Sequence, residues 1–121
     1  MRALLLLPIA LLSAAATADS TALLAGRAAG PPVDCVDQSR VQGPQIVDNQ
    51  TIVYRQSGHR WWVNSLTETC PSLQPERILI VEVQGGRMCR DDLFRTLSRN
   101  SSIPGPICRL GRFVPWDKPA R

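Results

Sequence analysis

Four cysteines govern what this chain can become. Cys35, Cys70, Cys89 and Cys108 are separated by 35, 19 and 19 positions, so none forms the close C-x2-C pair that a zinc site draws on. A catalytic thiol needs an activating base, and nothing in the sequence links the single histidine, His59, to any cysteine. An even number of cysteines in an exported chain reads as a disulfide framework, and the opening residues point to export. Arg2 precedes the apolar run Leu4–Leu12, interrupted by Pro8, and Ala16-Thr17-Ala18 sets small residues at both positions that a signal peptidase reads. Asp19 and Ser20 stop the run short of the about 20 apolar residues that a spanning helix needs. The first cysteine stands far too late to carry a lipid anchor. The expectation is a signal peptide over residues 1–18, cleaved after Ala18, and a periplasmic or secreted product of bacterial type with no membrane span after cleavage.

Four cysteines permit three pairings, and sequence alone does not choose among them. The reading favours a nested arrangement, Cys35–Cys108 tying the ends of the domain and Cys70–Cys89 closing its middle. A chain of 121 residues has room for one domain. A core of this size often supplies only about 3–5 kcal/mol, so the bridges are expected to matter as much as the core.

Residues 19–32, ending in Gly30-Pro31-Pro32, read as a flexible linker, and residues 33–119 as a small disulfide-stabilised β domain. Thr51–Arg55 is β-branched and aromatic, residues 56–59 have turn character, and Arg60–Leu66 resumes the pattern; together they predict a hairpin. Ile78–Val83 is the strongest strand, and Gly85-Gly86 before Arg87-Met88-Cys89 predicts a second hairpin. Residues 91–99 fit a capped helix or a strand, and the reading leans to strand. Residues 107–114 predict a closing strand that Pro115 ends. The fold class is all-β: a small antiparallel barrel or rolled sheet of five to six short strands, stapled by two disulfides.

The landmarks Cys35, Val47-Asp48-Asn49-Gln50-Thr51-Ile52, Cys70-Pro71-Ser72-Leu73, Met88-Cys89-Arg90-Asp91-Asp92-Leu93 and Cys108-Arg109-Leu110-Gly111-Arg112-Phe113-Val114-Pro115 resemble a family of short exported four-cysteine proteobacterial proteins, the domain-of-unknown-function family numbered 6491. The resemblance covers roughly residues 33–115. It implies export, disulfide bridging and a compact β domain, and it brings no activity. The family usually has glycine where this chain has Asp91.

The net charge is +4, which becomes +3 without residues 1–18, because Arg2 leaves with no acid. This excess is too small and scattered for nucleic acid. Trp61 and Trp62 are adjacent, so on a strand one faces the core and the other turns outward, either to grip a partner or to pack under the lead-in. Arg87, Arg90, Arg95, Arg99, Arg109 and Arg112 crowd the C-terminal third, as a solvated face or an anion-binding patch. The candidate partner surface is Trp61, Trp62, Arg87, Arg90, Arg95, Arg109 and Arg112. Asp91 and Asp92 are adjacent and would point apart on a strand, which suits a turn role better than paired acid–base work. Asn49-Gln50-Thr51 and Asn100-Ser101-Ser102 are glycosylation sequons that matter only in a secreting eukaryote.

No catalytic residue, metal or cofactor is expected. The leading reading is a non-enzymatic exported binding or accessory module of the bacterial cell envelope, with an anionic envelope component or another envelope protein as partner. A small secreted inhibitor of a hydrolase or protease, acting through loop 71–77, is the first alternative. An enzyme without a recognisable motif is the second.

Overall fold

The computed structural model describes residues 22–119; the expected signal peptide lies outside them. Ten strands among the described residues form three antiparallel sheets. The five-stranded sheet has the order β1-β10-β5-β4-β3, from Ala28–Ala29 (β1), Gln42–Asp48 (β3), Thr51–Arg55 (β4), Arg60–Ser65 (β5) and Phe113–Asp117 (β10). Cys35–Asp37 (β2) pairs with Arg87–Cys89 (β7) in a two-stranded ribbon. Ile78–Val81 (β6), Leu93–Leu97 (β8) and Cys108–Arg109 (β9) make a three-stranded sheet in the order β6-β8-β9. The fold is therefore all-β, but it is not one barrel of five or six strands.

The expected hairpin over 51–66 is present, with Val53 opposite Val63 and Tyr54 opposite Trp62. Its alternation serves two cores. Ile52, Tyr54 and Trp62 point into the central cluster with Ile46, Phe94 and Phe113. Val53 and Val63 point the other way, into a second cluster with Val47 and Leu24. This second cluster draws on the segment expected as a flexible lead-in. A turn starting at Ala22 lays Leu23 and Leu24 on the outer face of the sheet, and Ala28–Ala29 hydrogen-bonds along β10.

The second hairpin is only half realised. Gly85 and Gly86 make the turn, with φ of 63° and 73° that L side chains rarely adopt. The strands it joins separate at once. β6 pairs with β8, Ile78 opposite Leu97, and β7 pairs with β2. The expected strand over 107–114 is split into β9 and β10, and Pro115 sits inside β10 rather than ending it. Its position explains the tolerance. Phe113 exchanges both backbone bonds with Val33, and Pro115 O accepts from Gly30 N–H (2.8 Å). The missing proline donor therefore faces the outer neighbour, not β5.

The nested disulfides are also overturned. The bridges are Cys35–Cys89 and Cys70–Cys108. Cys35 lies directly opposite Cys89 in the β2–β7 ribbon, while Cys108 lies opposite Phe94 and reaches back to Cys70. The task assigned to a Cys35–Cys108 bridge, joining the two ends, is done by backbone pairing of Val33 with Phe113 and of Ala28 with Asp117.

One buried polar side chain fixes the junction between sheets. Asn64, fully buried, donates from Nδ2 to Gly111 O and accepts from Gly111 N–H at Oδ1, both at 2.8 Å. Gly111 admits no side chain, because a Cβ there would run into the backbone carbonyl of Ser65. In contrast, the buried Tyr54 hydroxyl has no hydrogen-bond partner among the described residues, and burial pushes its pKa up.

Candidate functional site

The two tryptophans divide as strand geometry requires. Trp62 enters the central core, and its Nε1 donates to Gln56 Oε1 (2.8 Å). Trp61 turns to the opposite face, but it is not free. The Arg27 guanidinium lies 3.8 Å from its ring centroid and that of Arg55 lies 4.7 Å away. Arg27 also donates to His59 O (2.9 Å), Gly58 O (3.0 Å) and Trp116 O (3.3 Å), so the lead-in is pinned over this ring. Beside it Arg60 makes a two-point bond to Asp117, at 2.8 and 2.7 Å. That bond holds the Asp117 carboxyl below its ordinary pKa. His59 Nε2 stands 3.9 Å from the same carboxylate.

The arginines do not form one patch with the tryptophans. Asp34 draws in Arg112 (3.3 Å) and Arg90 (3.9 Å), and Arg90 also reaches Asp91 (3.7 Å). Arg99 donates to Glu76 O (3.2 Å). Arg87 is exposed on β7, opposite Asp37. Asp92 takes the turn role expected of it: its Oδ2 accepts from Cys89 N–H (2.7 Å). Asp91 adopts φ 68°, the single positive φ outside glycine among the described residues, which is the backbone shape for which glycine is the easy residue.

Arg87, Arg95 and Arg109 are the exceptions in the candidate surface. All three are exposed, and among the described residues none has a carboxylate within 4.0 Å or a side-chain hydrogen bond. Register places Arg95 and Arg109 together. In β8, Phe94 and Thr96 are buried while Leu93, Arg95 and Leu97 take the other face. Arg109 lies opposite Leu93, and Arg95 opposite Ile80. In β6, Leu79 and Val81 pack on the central core and leave Ile78 and Ile80 on the open face, 42% and 43% exposed. The open face of the three-stranded sheet thus carries two exposed isoleucines, two half-buried leucines and two unpaired guanidiniums.

A cleft of about 440 Å³ opens off the Arg109 end, between residues 67–71 and 106–110, with Glu68 and Asp91 in its walls. The Cys70–Cys108 bridge ties both walls. Loop 71–77 is anchored by Leu73, which is buried in the core. Among the described residues, no group of three His, Cys, Asp or Glu side chains is placed to hold a metal ion.

Sequence reasoning named Arg95 and Arg109 but missed Ile78 and Ile80. An apolar run without alternation reads as buried on both faces, so nothing marked them as exposed.

The fold and its bridges define a small, disulfide-stapled all-β domain of the kind found in oxidising, non-cytoplasmic surroundings. Among the described residues no helix is long and apolar enough to cross a membrane. The chain belongs to the family described as "Family of unknown function (DUF6491)", whose model matches residues 1–120. No curated protein and no solved structure matches it.

Proposed function

We propose that the chain is exported with removal of residues 1–18 and acts as a non-enzymatic binding or accessory module of the bacterial cell envelope. It holds an anionic partner on the open face of the three-stranded sheet. One observation carries this reading: Ile78 and Ile80 stay exposed beside Arg95 and Arg109, which have no carboxylate partner among the described residues. Apolar surface left beside unpaired guanidiniums is a common makeup of a partner site, because arginine and large apolar groups carry much of the energy in protein interfaces. The Trp61 face supports the role less well, since Arg27 and Leu24 already cover it.

The test is retention of envelope components by immobilised chain from residue 19 onward. The expected result is one component retained by the wild type, eluted by salt, and lost with Arg95→Glu/Arg109→Glu but kept with Trp61→Ala. Equal retention by the wild type and the double variant overturns the reading. An exported product whose mass still includes residues 1–18 overturns its premise of a cleaved leader.

A further inference from the structure

Most sheet edges in this molecule are blunted, and β6 is not. β3 carries the Gly43-Pro44 segment and is irregular, with two register shifts in its pairing with β4. β1 and β9 have two residues each, and β2 and β7 have three. β6 runs four residues, Ile78-Leu79-Ile80-Val81, with no proline, bulge or charge within it, on the outside of its sheet. Such an edge is a template for another strand.

The hydrogen bonding shows which groups are free. Glu82 N–H donates to Leu93 O (2.9 Å), so antiparallel alternation turns the backbone groups of Ile78 and Ile80 toward β8 and those of Leu79 and Val81 toward the edge. A groove of about 220 Å³ is lined by the two edge-facing residues, Leu79 and Val81, together with Val41, Pro44, Met88 and Tyr54. No charged side chain lines it.

We infer that β6 accepts an extended segment of a partner protein as an added antiparallel strand, with uncharged side chains in the groove and acidic side chains over Ile80 toward Arg95. This rests on the proposed open-face reading and names its partner. Two edge-facing residues offer donors and acceptors at the two-residue repeat that an extended backbone matches. Charge selects the sequence. Arg95 is unpaired one strand in from the edge, and Glu82, just past the end of β6, is the acid nearest in sequence on that side. Alternating uncharged and acidic residues meet both requirements, because successive side chains of a strand point to opposite faces.

The probe is a fluorescent, end-capped octapeptide of alternating valine and glutamate, titrated against the chain from residue 19 onward. Controls are the valine–lysine peptide and a valine–glutamate peptide N-methylated at alternate residues. The expected result is saturable binding of the valine–glutamate peptide, weakened at least tenfold by Arg95→Glu and by Val81→Pro, with neither control bound. Val81→Pro deletes an edge donor while leaving the β8 ladder intact. The N-methylated peptide makes the same test on unaltered protein should that variant fail to fold. If Val81→Pro and the N-methylated peptide bind as well as wild type and parent peptide, strand addition is overturned while the open-face reading stands. If Arg95→Glu has no effect, the open-face reading falls as well. Absence of wild-type binding overturns the inference. So does a dimer in sedimentation that Val81→Pro dissociates, which would make a second copy of this chain the occupant.

Discussion

The five-stranded and three-stranded sheets are built from similar residues and finished differently. In the first, both faces are covered, by the central core on one side and by Leu23 and Leu24 on the other, and its arginines are engaged: Arg27 with three carbonyls, Arg55 with Gln45, Arg60 with Asp117. In the second, one face is open, with Ile78 and Ile80 in solvent and Arg95 and Arg109 unpaired. Burial and pairing on one sheet supply stability, and their omission on the other leaves apolar and cationic side chains in solvent. Large losses of stability should therefore track the first sheet and its junctions, and substitutions on the open face should be nearly silent in folding.

The largest effect is expected at the junction between the sheets. Gly111→Ala drives a methyl into the Ser65 carbonyl and strains the Asn64 bonds, so the loss should be on the order of 5 kcal/mol, most of what a small domain has. Denaturant unfolding of the purified chain checks this, and a normal midpoint would break the view of Gly111 as the junction. Next, replacing Cys70 and Cys108 together with alanine should remove about 4 kcal/mol in the chain-entropy model. Because that bridge anchors β9, amide exchange should quicken in β6 and β8 before β4 and β5. Uniform quickening would show that the two sheets do not differ in local stability.

The direct comparison is smaller. Arg27→Ala should cost about 2 kcal/mol, through lost charge-assisted bonds and its stacking on Trp61. Arg95→Ala should stay within about 0.5 kcal/mol. Equal costs in thermal unfolding would erase the distinction drawn here. The slightest expected effect is in pH. Asp117 is held below its ordinary pKa mainly by the hydrogen bond from Arg60, so its contribution is present above the unfolded carboxylate value of about 4. It is lost as pH falls through the lowered folded value. Asp117→Asn should flatten this acid limb, and an unchanged acid limb would assign it to other carboxylates.

Much of the first sheet was legible, because Thr51–Arg55 and Arg60–Ser65 combine β-branched alternation with a short turn, and the turn dictates the partner. β6 was legible as a strand and not as an edge. Its partner β8 arrives after the Gly85-Gly86 turn and the β7 excursion, and non-local register leaves no trace in periodicity. The bridges were misassigned for the same reason: Cys35 meets Cys89 only because β2 and β7 pair. Of the candidate site, the arginines were visible as residues, but which of them are free depends on Asp34, whose approach to Arg90 and Arg112 is set by the fold.

The interleaved order of the bridges has a consequence for survival among proteases. One link spans 35 to 89 and the other 70 to 108. A cut between 35 and 70 followed by another between 89 and 108 would make three peptides, and each would still be covalently attached to the next. In a nested order the same two nicks would release the middle piece. The molecule can thus be clipped on both flanks of its central segment and still migrate as a single species until a reductant is added.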